Sequence, residues 1–155
     1  MVRVLFVCTG NTCRSPMAEA LLRKKIGQAG LEHAIAVSSA GIMAGEQYPA
    51  TEQACKAMRM QGIDLKGHRS RQLTVDSIHG ADLVLTMSKS HKERIISMFP
   101  EARGKVYTLG EYTSAGGDIA DPFGGDCRVY VQTAAILEQL LAQAWKKIVA
   151  LAGIK

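Results

Sequence analysis

The sequence predicts an α/β fold: one domain, residues 1–155, in three α/β/α layers, with a four-stranded parallel sheet and a phosphate-binding loop after the first strand. Three observations carry this. A chain of 155 residues is the size of one domain. Short apolar runs rich in β-branched residues alternate with longer stretches of helical periodicity, the pattern of right-handed crossovers between parallel strands. The first apolar run also leads directly into a glycine-containing loop that opens a helix, at the strand end where such sheets bind ligands.

Residues 2–7 form a continuous apolar run and are predicted as a strand buried on both faces. A helix over residues 15–30 follows. Ser15 suits its N-cap and Pro16 its first position, with Glu19 close enough to strengthen the start. Ala18, Leu21, Leu22, Ile26 and Ala29 keep helical spacing, and Gly30 ends it. Next come a strand at 34–38, a helix at 50–61 stopped by Gly62, and a short helix at 74–79. A third strand at 82–87, a helix at 90–98 stopped by Pro100 and a fourth strand at 105–109 complete the sheet. The last helix, 126–151, places Val129, Ile136, Leu137, Leu140, Leu141, Ala144, Ile148 and Leu151 on one face. Before it, residues 113–125 hold four glycines and a proline and read as a long loop bordering a site. No repeats, linkers or low-complexity tracts interrupt this plan.

Composition excludes several classes. With 47% hydrophobic and 21% charged residues the chain is an ordinary globular one. Its net charge of +5 biases it toward anionic partners. The basic residues are nevertheless scattered, Arg23-Lys24-Lys25 being the longest run, and only 5% of residues are aromatic, so no nucleic-acid surface is expected. Four cysteines without a C-x-x-C pair make neither a disulfide framework nor a zinc ribbon and fit reduced thiols. The N-terminal apolar run is too short for a signal peptide and no run reaches a membrane span, so a cytoplasmic protein without a membrane partner is expected. His33, His79 and His91 lack ligand spacing and read as surface or capping residues, leaving no metal site. Cys55 and Cys127 are assigned to packing. No oligomeric state is legible.

The chemistry concentrates in Cys8-Thr9-Gly10-Asn11-Thr12-Cys13-Arg14-Ser15. Inward-turned backbone N–H groups and the start of a helix both stabilise an anion, so a thiolate at Cys8 and a bound phosphate are favoured alike. Arg14, six residues on, offers a planar fork for two phosphoryl oxygens. Gly10 permits a positive φ or close backbone approach where the loop curls. A Walker-type G-x-x-x-x-G-K-[ST] and a G-x-G-x-x-G are both absent. A leaving group would need a proton, and Asp118, Asp121 and Asp126 compete for that role on sequence alone.

Residues 4–17, Ser39-Ala40-Gly41, residues 81–87 and Asp121-Pro122-Phe123-Gly124-Gly125 fall in the order found in the low-molecular-weight protein tyrosine phosphatases, which the chain resembles along essentially its whole length. Thr12 together with Asp-Pro-Phe-Gly-Gly resembles the bacterial protein-arginine phosphatase branch, the tyrosine branch typically having Ile at the Thr12 position. The resemblance implies a metal- and cofactor-independent hydrolase acting on phosphorylated proteins, phosphoarginine foremost and phosphotyrosine as the alternative. It implies catalysis by Cys8 as nucleophile, Arg14 on the phosphoryl oxygens and Asp121 as general acid, through a phosphocysteine. It further implies substrate contacts at Thr9, Gly10, Asn11, Thr12, Cys13, Ser15 and Phe123. Asn11, Ser15, Ser39 and His68 match positions that support the loop through hydrogen bonds, and Cys13 matches a thiol that captures oxidised Cys8 as a disulfide. Arsenate reduction is a weaker reading, because residues 80–89 offer no further cysteine. A non-catalytic phosphate or redox sensor would have no use for a leaving-group acid.

Overall fold

The computed structural model describes residues 1–154; Lys155, the end of the expected 1–155 domain, lies outside them. Four parallel strands form one sheet in the order β2-β1-β3-β4: β1 Val2–Cys8, β2 Ile35–Gly41, β3 Leu83–Thr86 and β4 Val106–Thr108. Helices α1 Arg14–Gln28, α2 Glu52–Arg59, α3 Val75–Gly80, α4 Lys89–Met98, α5 Leu109–Tyr112 and α6 Cys127–Leu151 surround it.

The two-residue period of β1 splits the interior in two. Val4, Phe6 and Cys8 face a core shared with Leu22 of α1, Met58 of α2 and Leu137 of α6, while Leu5 and Val7 face one shared with Ile78 of α3 and Ile95 of α4. Parallel pairing runs from Val2 opposite Ile35 to Cys8 opposite Gly41, and from Val4 opposite Leu83 to Val7 opposite Thr86. Cys8 therefore ends a strand fastened on both sides.

Several element ends depart from the sequence reading. Strand β2 begins at Ile35 and runs on to Gly41, because Ser39-Ala40-Gly41, weak strand formers alone, pair with Phe6-Val7-Cys8. Cys13 occupies the cap position of α1 without a side-chain bond, and Ser15 lies inside the first turn, fully buried. Pro100 opens a 3-10 segment at Pro100–Lys105, a position where its missing N–H costs little, and shortens β4. Leu109 starts α5, capped reciprocally by Thr108 and Glu111, where a strand end was expected. On α6, Val129, Ile136 and Leu151 are 39%, 48% and 48% exposed; the buried stripe instead includes Tyr130, Thr133 and Ala134. Cys55 and Cys127, the latter the first residue of α6, are both half-buried, and Cys55 packs against the core. None of the described helices is long and apolar enough to cross a membrane.

Candidate active site

Between β1 and α1 the loop is held by its carbonyl groups. Cys8 O accepts from Ile42 N, Thr9 O from Met43 N, Thr12 O from Thr51 N and Asn11 O from His68 Nε2, at 2.7–3.0 Å. The N–H groups of residues 9–13 have no acceptor among the described residues. Outward carbonyls and unspent N–H groups make an anion-binding concavity.

Asn11 sets the curl. It, and not Gly10, takes the left-handed conformation, with φ 58°, and a Cβ at Gly10 would meet only Thr12 Oγ1 at 3.7 Å. Asn11 Oδ1 accepts from Arg71 N at 2.9 Å, which identifies its other terminal atom as the nitrogen. That nitrogen donates to Ser15 Oγ at 2.8 Å and to Ser39 Oγ at 2.9 Å. With a lone pair so engaged, each hydroxyl has its proton free for another partner: Ser39 donates to Glu19 Oε1 at 2.5 Å, and Ser15 Oγ, 2.9 Å from Cys8 Sγ, is placed to donate to a thiolate there. Asn11 and Ser15, expected to touch substrate, are thus fully buried and support the loop from behind. Gly41 allows the close fit, since a Cβ there would lie 2.7 Å from Thr9 O and 3.0 Å from Asn11 N.

Cys8, Thr9, Gly10, Thr12, Cys13 and Arg14 line a cleft of about 230 Å³ with Asp121 and Phe123. Arg14 is buried, donates to Ile119 O at 2.8 Å and stands 3.7 Å from Asp121 Oδ2. The other carboxylates have local duties: Asp118 Oδ1 accepts from Lys89 N and Asp126 Oδ1 from Val129 N at the start of α6. Asp121 Oδ1 takes the Phe123 N–H, and the Phe123 ring projects into solvent, 73% exposed. Cys13 sulfur lies 3.4 Å from the Tyr130 hydroxyl; burial foremost, then that contact, pushes the phenol up to about 12. Such an arrangement suits attack by Cys8 on an anionic group seated on the loop and on Arg14.

A family profile described as "Low molecular weight phosphotyrosine protein phosphatase" matches residues 3–151. The chain belongs to this family. It is a cysteine-dependent protein phosphatase. A "Protein-arginine-phosphatase" of Bacillus subtilis (strain 168) is 47% identical over 94% of this chain and 95% of its own length. The structure "YwlE arginine phosphatase from Geobacillus stearothermophilus" superposes with TM-score 0.89 at 44% identity, covering 97% of this chain and 94% of that one. A YwlE mutant with a phosphorylated active-site serine superposes at 0.90, with 44% identity and 95% of each chain covered.

His33 and His79 of the phosphatase are exposed, but His91, expected like them to be a surface or capping residue, is buried. It is 7% exposed, with Nε2 2.9 Å from Thr9 Oγ1, so α4 supports the loop from a third side. Its Nδ1 is buried without a partner, which suits an unprotonated nitrogen and makes Nε2–H the donor to Thr9. Burial, and next the Arg14 cation, lower the imidazole from 6.5 to about 4. Between those values the unfolded chain binds a proton that the folded protein refuses. Stability from this residue should therefore be full above pH 6.5 and fall progressively toward pH 4, by up to about 3 kcal/mol. Urea denaturation at pH 7 and 4.5 checks this: His91→Gln should show a shallower loss than wild type, and equal losses would remove His91 as the cause.

Proposed function

We propose that the protein hydrolyses phosphoarginine in proteins through a phosphocysteine intermediate. The reading rests on one observation above all: Cys8, Arg14 and Asp121 meet at a cleft that also carries the polar side chain of Thr12. The arginine-phosphatase names of close relatives support it.

Cys8 Sγ, as thiolate, attacks phosphorus in line with the departing guanidino nitrogen. The S–P bond forms as the P–N bond breaks, while loop N–H groups and the Arg14 fork hold the three non-bridging oxygens. Asp121 gives the leaving nitrogen its proton and, as carboxylate, then takes one from the water that attacks phosphorus. The P–S bond breaks, returning the Cys8 thiolate and releasing inorganic phosphate. Ser15, donating to the sulfur, stabilises the thiolate in both the first and the last state. Thr9, Gly10, Thr12 and Cys13 surround the transferring group, and the exposed Phe123 ring gives the leaving group a stacking surface. Four free cysteines, the nucleophile among them, suit the cytoplasm.

Thr12→Ile keeps the β-branch and removes the hydroxyl. It should lower kcat/KM on a phosphoarginine peptide and raise relative activity on a phosphotyrosine peptide, because a site deprived of a polar contact loses discrimination. Assaying both peptides with wild type and variant decides it. An unchanged ratio defeats the role of Thr12, and a wild type that prefers phosphotyrosine makes the protein a tyrosine phosphatase.

Oxidation supplies another test. A peroxide-oxidised Cys8 should be captured by Cys13 as a disulfide, with loss of water from the sulfenic acid, and thiols should restore activity. Cys13→Ala should make the loss harder to reverse; equal recovery would reduce Cys13 to packing against Tyr130.

A further inference from the structure

A second cleft, of about 440 Å³, lies between α1, residues 37–39 of β2 and residues 64–71, and shares no lining residue with the Cys8 cleft. Three arginines line it: Arg23, Arg69 and Arg71. Arg23 is neutralised by Glu19 at 2.6 Å. Arg69 bends Nη1 onto the carbonyls of Lys66 and His68, leaving the rest of its fork unengaged by other side chains, and the Arg71 side chain makes no hydrogen bond or ion pair among the described residues. Ser70 between them is fully buried, its hydroxyl engaged with Gly45 O and Tyr48 N, while Arg69 and Arg71 are exposed and line the cleft. The one further carboxylate in the wall, Asp64, accepts from Lys66 N and keeps its charge, so three arginines stand against two carboxylates. The cleft thus has a cationic surplus of the geometry that takes oxyanions bidentately.

Its walls also hold the phosphate loop. Of the four groups bonded to Asn11, three belong to residues that line this cleft: the Ser39 hydroxyl, the His68 ring and the Arg71 main-chain N–H. An occupant would touch the residues that keep Asn11 in its left-handed conformation without approaching Cys8.

We propose that this cleft is a second anion site, taking the phosphate of a small phosphorylated molecule or free phosphate on Arg71 and Arg69, and that its occupancy alters catalysis through Asn11. Two ligands sharing a chemical class are thereby received by two cavities, one consuming its phosphoryl group and the other only sensing it. The coupling is reciprocal, so an anion on the phosphate loop changes affinity at the second cleft.

Inorganic phosphate, titrated at constant ionic strength, is the probe. In Arg14→Ala protein, NMR amide shifts should saturate and centre on Ser39, His68 and Arg71, and should vanish when Arg69→Gln and Arg71→Gln are added. Glycerol phosphate binding more tightly than phosphate would identify esters as the occupants, and equal affinity would identify free phosphate. Because Arg14 is buried, calorimetry on the unaltered protein gives an independent count: two phosphate sites are expected, and one after the paired Arg69→Gln and Arg71→Gln change. In turnover assays phosphate should change kcat several-fold as well as compete with substrate, and the paired variant should show competition alone. A single site in the unaltered protein, shifts that survive loss of both arginines, or purely competitive inhibition of the wild type would each overturn the proposal.

Discussion

Cys8→Ser should abolish multiple turnover, lowering kcat by at least about four orders of magnitude, while the protein still folds and binds oxyanions. The loop amides and Arg14 remain, so binding has no reason to fail. Attack slows. A serine hydroxyl needs a base, and the neighbours are engaged: Ser15 Oγ lies 2.9 Å from this position, His68 spends Nε2 on Asn11 O, His91 spends Nε2 on Thr9, and Asp121 enters the first step as the acid. The second step then fails, since an alkoxide is a poorer leaving group than a thiolate. The YwlE mutant with a phosphorylated active-site serine illustrates for that protein that such a residue can carry a phosphoryl group. Stopped assays with phosphorylated peptide, alongside phosphate binding, check the expectation; hydrolysis near the wild-type rate would end the phosphocysteine mechanism.

Asp121→Asn should slow hydrolysis by roughly two to four orders of magnitude, the range of general acid–base catalysis. The loss should shrink for substrates whose leaving group departs without a proton, because only the step that needs one is impaired. The isosteric amide can still accept the Phe123 N–H, so the loop keeps its turn. Asp118→Asn and Asp126→Asn test the assignment from the other side. Their carboxylates accept backbone N–H groups at the starts of α4 and α6, and their loss should cost stability before it costs chemistry. A damaging Asp118→Asn beside a mild Asp121→Asn would transfer the acid role to Asp118.

What the chain revealed before its structure was known follows a physical divide. Strand β1, the loop and α1 were legible because burial on both faces, a glycine-containing turn and a Ser-Pro helix start are local signals. Local propensity makes Ser15 a cap, because hydroxyl residues favour that place; its service to Cys8 came only from the family resemblance, since it depends on Asn11 turning its amide inward, which local sequence does not encode. His91 was missed for a related reason. It meets Thr9 across 82 positions, and only the packing of α4 beside β3 brings them together. A glycine closing a serine-rich strand end was the available sign for Gly41, whose lack of a side chain makes room for the loop. Exposed Val129, Ile136 and Leu151 show the opposite error, periodicity mistaken for burial.

Nucleophile and acid are fastened with very different firmness. Cys8 ends a strand paired on both sides, whereas Asp121 rides on residues 113–126, mostly exposed and tied down by Ile119 N to Met87 O, Lys89 N to Asp118 and Arg14 to Ile119 O. Amide protons of β1 should await opening of the whole domain, while those of the acid segment exchange by local excursions. Gentle denaturation would then detach the proton donor first, leaving for a time an enzyme that still captures phosphoryl groups but serves only substrates able to depart unaided.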